Sequence, residues 1–306
     1  MPRGEGLVDL HRHLDGSLRW STVRELAARE GIAVPPEADL HFHAGLGLEG
    51  ALARFAFTLS LLQTPDAVER VAREICDDAA SEGVSTLEIR FAPQLHLRRG
   101  LTMDAVVDAA LAGVGGRAGL ILCGLYGEPV ARLEQLVDLA RDRRGVVAID
   151  LAGGPAPSHA VGLADYAPAF SRARSLGLGR TVHAAEGRSA DEIRVAIEVL
   201  HAQRIGHGTT LLDDPSVVEL VISRGVTVEA CPTSNVHTDV IPRVEAHPLA
   251  KWLSLGVRAC VNTDNTLFSA VDAREEHRRA GTIAGMTPGL LAQAVANGHA
   301  ARFVRE

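Results

Sequence analysis

Short runs dense in aliphatic and β-branched residues recur along the chain, and between them lie stretches whose apolar positions fall three and four apart, the spacing of one helix face. Eight such runs can be counted, at residues 7–13, 84–91, 119–125, 146–151, 180–183, 204–207, 225–230 and 257–263. Most are continuously apolar rather than alternating, as parallel strands covered on both faces require. The intervening stretches carry helix-start signals: Thr64 is placed to cap a helix with Pro65 at its first position, and Ser189 opens another. Eight strand-then-helix units with no Pro- or Ser-rich linker predict an α/β fold in which residues 1–306 form a single (β/α)8 TIM barrel domain. A doubly wound sheet is the alternative. Residues 19–63, between the first and second strands, are too helical and apolar for a linker and predict a helical insertion that covers one barrel mouth as a lid.

Composition narrows the chemistry. The chain has 306 residues, 46% apolar and 23% charged, enough to bury a large core. Its net charge of −7 has the wrong sign for broad neutralisation of phosphates, so no nucleic-acid partner is expected. No stretch approaches the ~20 apolar residues of a membrane span, and Met1 to Asp9 lacks a signal-peptide-like apolar segment, so the expected location is cytoplasmic. Lys251 is the single lysine. It sits in a helix-like run, which leaves neither a Walker phosphate loop nor a pocket lysine for Schiff-base chemistry. Cys76, Cys123, Cys231 and Cys260 are far apart and form no Cys-x-x-Cys pair, which predicts reduced, packed thiols.

In a barrel of this kind catalytic side chains stand at the C-terminal ends of strands, and those ends are polar here. Strand one ends in His11-Arg-His13-Leu-Asp15, strand five in His183-Ala-Ala-Glu186, strand six in Gly206-His207-Gly208, and strand eight in Asn262-Thr-Asp264-Asn265. Residues two apart on a strand point to the same side, so His11 and His13 can face one metal. His183 and Asp264 complete three neutral imidazoles and one carboxylate, a set that suits Zn²⁺ or another borderline divalent ion. Each histidine alone is more often packed or solvated. Four ligand-type residues at three strand ends, with a further acid and histidine at the same rim, are not explained that way.

These residues resemble the adenosine deaminase family of metal-dependent barrels. The motifs that carry the resemblance are His11-Arg-His13-Leu-Asp15-Gly-Ser, Asp150-Leu-Ala-Gly153, Thr181-Val-His183-Ala-Ala-Glu186, Ile205-Gly-His207-Gly, Cys231-Pro-Thr-Ser-Asn235 and Asn262-Thr-Asp264, in the family's order across nearly the whole chain. The resemblance implies one Zn²⁺ per chain held by His11, His13, His183 and Asp264, with a water or hydroxide as the fifth ligand. It implies attack of that hydroxide on C6 of an adenine ring, with His207 taking up a proton from the water or holding the hydroxide by hydrogen bonding. Glu186 would donate to ring N1, which requires it to be protonated and predicts a raised pKa. Gly153 would offer a backbone N–H to purine N3, and Asp15 would accept from the ribose 5′ hydroxyl.

Two departures touch the substrate pocket. Asn265 stands where many members have a second acid that hydrogen-bonds N7, and an amide donates there at any pH. Gly154-Pro155 follows Gly153 where an acid commonly comes next. Asp15 could also cap residues 17–24 or orient His13 instead of reading the sugar. His41-Phe-His43 lies in the insertion with no strand end beside it, which predicts a surface or lid role, and Gly45-Leu-Gly47-Leu-Glu-Gly50 opens no βαβ unit. His96 is expected to line the pocket or to sit in a solvated loop. The expected partner is a small purine nucleoside, with oligomeric state left open by the sequence. Free adenine, 6-aminodeoxyfutalosine and a catalytically silent nucleoside-binding barrel are the alternatives to adenosine.

Overall fold

The structure, a computed structural model, describes residues 6–305. Its eight strands are β1 Leu7–His13, β2 Val84–Phe91, β3 Gly119–Leu125, β4 Val146–Ala152, β5 Gly179–Ala184, β6 Arg204–His207, β7 Thr227–Ala230 and β8 Arg258–Val261. Each lies parallel to the next in chain order, from β1 to β8. The ring closes between β8 and β1 through a parallel bridge of Arg12 and Asp264, in which the His13 amide donates to the Asp264 carbonyl and the Asp264 amide to that of His11, each at 2.8 Å. One residue pair lower, the Asn262 side-chain oxygen accepts the Leu10 amide at 2.8 Å, doing a backbone carbonyl's work. The barrel anticipated from the pattern of apolar runs is therefore present, and the doubly wound alternative is not.

Boundaries differ where glycine or side-chain chemistry intervenes. β7 begins at Thr227 because Gly225, at φ 65°, terminates the helix Pro215–Arg224 in the left-handed region that glycine enters without strain. β8 ends at Val261 because Asn262 leaves the regular ladder for the seam.

The insertion after β1 is helical as anticipated, with helices Trp20–Glu30, Glu37–Leu40 and Gly47–Leu61 ahead of the crossover helix Pro65–Ser81. Thr64 caps that crossover helix, its hydroxyl accepting the Ala67 amide at 3.3 Å. Ser189 accepts the Asp191 amide at 3.2 Å ahead of the helix Asp191–Glu198. All four cysteines are buried free thiols, and no described helix is long and apolar enough to cross a membrane.

Two cores of opposite character result. Between strands and helices the packing is aliphatic, with Ile75, Leu122, Leu136, Ile149, Val182 and Val228 almost wholly buried. Inside the ring lie Glu88, Arg90, Asp150, Arg204 and Glu229, all buried. The helix Pro288–Ala301 covers the β8–β1 seam, and Gly298 allows it to approach. A Cβ at that position would lie 2.7 Å from a Val8 methyl and 3.0 Å from Cys260 Cβ. Gly298→Val is therefore expected to lower unfolding stability by about 1–3 kcal/mol through overpacking. Gly289→Ala in the same helix, where only Thr287 Oγ1 at 3.8 Å would meet the new carbon, should stay within ~1 kcal/mol of the parent. Urea midpoints of the two variants test this, and equal midpoints would show that close approach at the seam does not govern stability.

Candidate functional site

The polar strand ends anticipated from sequence converge at one mouth of the barrel. Ring centroids of His11 lie 5.3 Å from His13, 4.6 Å from His183 and 5.0 Å from His207. The nitrogens of His11, His13 and His183 fall within 4.8 Å of one another, and so do ligand atoms of His11, His207 and Asp264. Asp264 Oδ1 is 3.7 Å from His11 Nε2 and 3.4 Å from His13 Nε2, while its Oδ2 accepts the Ser234 hydroxyl at 2.6 Å. The seam explains this proximity: the bridge that closes the barrel sets Asp264 directly beside both histidines of β1.

Hydrogen bonds decide what each imidazole can offer. His11 Nδ1 donates to Glu229 Oε2 at 2.6 Å, and His183 Nδ1 donates to Asp150 Oδ1 at 3.2 Å. Each proton is thereby fixed on Nδ1 and a lone pair is left on Nε2. That nitrogen of His11 is buried with no partner among the described residues. His207 is arranged the other way. The Leu249 amide donates to His247 Nδ1 at 3.2 Å, so the neutral His247 ring carries its hydrogen on Nε2, which donates to Asn235 Oδ1 at 3.3 Å. The Asn235 amide then donates to His207 Nδ1 at 3.0 Å and to Glu186 Oε1 at 3.4 Å. A neutral His207 so held carries its hydrogen on Nε2 and is a donor, not a ligand. The hydrogen bonding thus sets His207 apart and leaves His11, His13 and His183, with Asp264 beside the first two, as the candidate ligands.

Electrostatics agree in part with the sequence. Burial, with Arg90 and the neighbouring imidazoles, holds His11 well below its ordinary range, and burial with His183 and Arg90 does the same to His13, so both are neutral. For His183 burial opposes protonation, but Asp150 more than offsets it and the pKa rises. Asp264 is pushed up, chiefly by burial. Glu186 departs from expectation. Burial does push it up, yet His207, the Thr238 hydroxyl at 2.9 Å, His183 and Arg188 together outweigh burial, and its carboxyl is held below the usual range.

The cavity above these groups is lined by His13, His183, Glu186, His207, Asp264 and Asn265 on its polar side, with Gly153 at the end of β4. Phe42, Leu48, Leu52 and Phe55 of the insertion roof it, leaving about 60 Å³ of free space. Gly153 takes φ 79°, and His207 and Asp264 hold φ 67° and 63°, which for residues with a Cβ costs about 1–3 kcal/mol each and re-aims the chain at the strand ends. Asn265 Oδ1 is buried against Gly16 without a partner, so its amide nitrogen is what it can offer the cavity. Asp15 is brought close but does not line the cavity; it is buried, pushed up to about 7 by burial, with Oδ1 unpartnered.

A family description named adenosine deaminase matches residues 6–306. The chain belongs to the adenosine deaminase family. An adenosine deaminase of Clostridium acetobutylicum is 35% identical to it, the match covering 98% of this chain and 93% of that protein. The crystal structure of an adenine deaminase from Arthrobacter aurescens superposes with a TM-score of 0.88 at 25% identity, covering 98% of this chain and 94% of that one. An amidohydrolase of Burkholderia ambifaria with bound Zn shares the fold at a TM-score of 0.86 and 24% identity, covering 99% and 87%. The adenosine deaminase family is metal-dependent, and the His/Asp cluster here is of the kind that holds a divalent ion.

Several roles in this deaminase site escaped the sequence reading. Asn235 stood in a motif but was given no role, His247 was given none, and both act through hydrogen bonds that only the folded chain reveals. Arg90 donates to Asp150 at 2.8 Å and to Glu229 at 2.7 Å, and Arg204 donates to Glu229 at 2.6 Å and to Glu88 at 2.6 Å. A signal for these existed: charges two apart within an apolar run, as in Glu88 and Arg90, point into the ring together. His96 is neither in the cavity nor solvated. It is buried against Phe91 with Nδ1 donating to the Leu62 carbonyl at 2.8 Å. His43 is exposed and His41 partly so, while Phe42 between them lines the cavity. The glycines at 45–50 lead into a lid helix rather than out of a strand.

Glu229→Gln removes the charge that answers Arg90, Arg204 and His11 together. Metal-free protein carrying it should lose about 3–5 kcal/mol in denaturant unfolding, the scale of a broken buried ion pair. Thr181→Val, which deletes one neutral donor to the same carboxylate at 3.0 Å, should lose only about 1 kcal/mol. A Glu229→Gln loss no larger than that of Thr181→Val would mean the buried charges are not mutually dependent.

Proposed function

We propose that the chain is a zinc-dependent adenosine deaminase, a hydrolase of the cyclic amidine C–N bond that converts adenosine and water to inosine and ammonia. The observation that carries this reading is the convergence of three imidazole nitrogens and one carboxylate oxygen at the barrel mouth, with His11 Nε2 buried and unpartnered. A buried acceptor of that kind is costly unless something binds it. The donors fit one Zn²⁺: neutral imidazoles, a carboxylate, and carboxylates behind His11 and His183 that fix the rings. His11, His13, His183 and Asp264 would hold the ion, which when bound supplies an activated water at neutral pH.

The chain's own residues then divide the work. His207, with hydrogen on Nε2 and Nδ1 satisfied by Asn235, is disposed to donate a hydrogen bond to the attacking oxygen, which favours the electrostatic role over proton uptake. Glu186 takes both its donors on Oε1, so a proton for purine N1 resides on Oε2. Because its surroundings hold the carboxyl ionised, that proton must arrive with substrate binding. The Asn265 amide faces N7 and the Gly153 backbone faces N3, orienting the ring. The roof of Phe42, Leu48, Leu52 and Phe55 must move to admit a nucleoside and then excludes water.

Among the described residues no arginine or lysine lines the cavity, which supports an uncharged nucleoside or base as the substrate. Free adenine is the second reading, because Asp15 stands back from the free space. The unpartnered Asp15 Oδ1 supports the nucleoside, since an ordered sugar hydroxyl would satisfy it. A cytoplasmic location, residues 1–306 as one domain and the absence of a nucleic-acid partner belong to the same proposal.

Two measurements test it. Purified protein should carry one divalent ion and turn over adenosine. Asp264→Ala or His183→Ala should lose both ion and turnover, and Glu186→Gln should keep the ion while kcat falls at least ~10²-fold. Metal loss in Glu186→Gln, or full activity after chelation, would overturn the assignment. For substrate class, kcat/KM for adenosine should exceed that for 5′-deoxyadenosine, adenine and 6-aminodeoxyfutalosine, and Asp15→Ala should erode only that preference. 7-Deazaadenosine should react ~5- to 150-fold more slowly, the ~1–3 kcal/mol of an unpaired buried donor at Asn265. A dominant adenine rate would transfer the assignment to the base.

A further inference from the structure

The opposite mouth of the barrel, where the strands begin, is a cavity of about 520 Å³. Arginines 174, 180, 204, 224, 258 and 302 line it, and among the described residues no carboxylate does. Arg204 is neutralised by Glu88 and Glu229. The other five make no ion pair among the described residues, and Arg174, Arg224, Arg258 and Arg302 donate no side-chain hydrogen bond there. Such a gathering is unusual on a chain of net charge −7. Many of its other surface arginines are paired, as Arg143 is with Asp104 and Asp108 and as Arg278 and Arg279 are with Glu275, and those that are not, such as Arg24 and Arg98, are not gathered around one cavity.

Arg180 makes the cup more than a patch of surface charge. It is only 8% exposed, yet its partners are neutral carbonyls: Nε donates to His201 at 2.8 Å and Nη1 to Leu178 at 2.6 Å, which leaves Nη2 free toward the cavity. His201 presents its carbonyl from a left-handed backbone at φ 56°. A nearly buried guanidinium with no counter-ion, held in place by two carbonyls, is arranged for an anion from outside. A simpler account covers Arg174 and Arg224, which lie in the last turns of the helices Ala167–Ser175 and Pro215–Arg224 and answer their dipoles. It does not cover Arg180 and Arg258, which start strands, or Arg302, which follows a helix.

We propose that this cup binds an anion built of linked phosphoryl groups, of the size and charge of a tripolyphosphate chain, free or carried on a nucleoside. Five guanidiniums need several negative charges to balance them, and their planar forks match phosphoryl oxygens. A single phosphate leaves most of them unanswered. A nucleic-acid duplex is opposed by the negative charge of the rest of the molecule. The one phenyl ring lining the cup, Phe303, has the Arg204 guanidinium on a face at 3.8 Å, and the other ring, His201, is a small imidazole, so recognition rests on the phosphates and not on a stacked base.

The test is titration calorimetry on the full chain with sodium tripolyphosphate, then ATP, then inorganic phosphate. One site is expected, with tripolyphosphate and ATP binding alike, inorganic phosphate at least ~10-fold more weakly, and affinity falling as salt is raised. Arg224→Glu/Arg258→Glu, both at exposed positions, should weaken tripolyphosphate at least ~10-fold. The charge-matched control Arg24→Glu/Arg98→Glu, distant from the cup, should not. Any stripping of a bound metal by the polyanion would be common to both variants, and inosine should not compete. Absence of binding at millimolar tripolyphosphate, equal weakening in the two double variants, or competition by inosine would each overturn the site. Phosphate as tight as tripolyphosphate would overturn the linked-phosphoryl ligand. Loss of folding stability in Arg224→Glu/Arg258→Glu with no binding by the parent would overturn the site and leave the two arginines a purely structural role.

Discussion

Arg90 occupies the point from which the rest of the site is held. Buried inside the ring, its guanidinium grips Asp150 with one arm and both Glu229 and the Leu10 carbonyl with the other. Those two carboxylates are the groups that fix the protons of His183 and His11. A charge so deep is tolerable only when paired, and here each charge satisfies another: Glu229 also answers Arg204, which in turn answers Glu88. The lattice therefore trades an aliphatic barrel filling, which would pack as well, for fixed ring orientations. That exchange makes sense only for a protein that must present imidazole lone pairs in a defined direction.

The barrel seam is the second constraint, and it is inseparable from the first. Asp264 reaches His11 and His13 because the β8–β1 bridge passes through its own backbone, and the left-handed φ of 63° at this residue turns its carboxylate back toward them. Strain of this sort survives only where surroundings over-determine the residue, and hydrogen bonds to both neighbours across the seam do so. His207 is held by similar means, its left-handed backbone at the end of β6 and its Nδ1 fixed by Asn235. Closure of the fold and assembly of the site are thus one event.

Much of this was legible in the sequence, for physical reasons that also mark the limit. Continuous apolar runs report strands covered on both faces, so all eight strands could be read, and strand-end chemistry gave His11, His13, His183, Glu186, His207 and Asp264 as one rim. Polar groups that act through one another left no such trace. His247 lies forty residues beyond His207 and touches it only through Asn235, a relation fixed by the turn after β7 and not by spacing. The direction at Glu186 differs from the expectation for a related reason: burial was foreseeable from sequence, whereas the opposing effects of His207, the Thr238 hydroxyl, His183 and Arg188 depend on how closely the folded chain brings them. Asp15 shows that two residues past a strand-end ligand the chain has already left the strand, so alternation no longer says where a side chain points.

The two mouths of the barrel divide charge in a way that bears on selectivity. Above the histidines the roof is Phe42, Leu48, Leu52 and Phe55, and among the described residues no arginine or lysine lines the cavity, so a phosphate there would lose its hydration without a guanidinium or ammonium partner. An uncharged purine loses little, and once water is excluded the polar floor acts on the ring in a medium where each hydrogen bond is stronger. A cluster of unpaired arginines lies at the other mouth, behind the Arg204–Glu229–Arg90 lattice, where its field reaches the site through charges already balanced. The proposed preference for an uncharged substrate follows from where the arginines are not, and the lattice that orients the histidines also separates the two ends of the barrel.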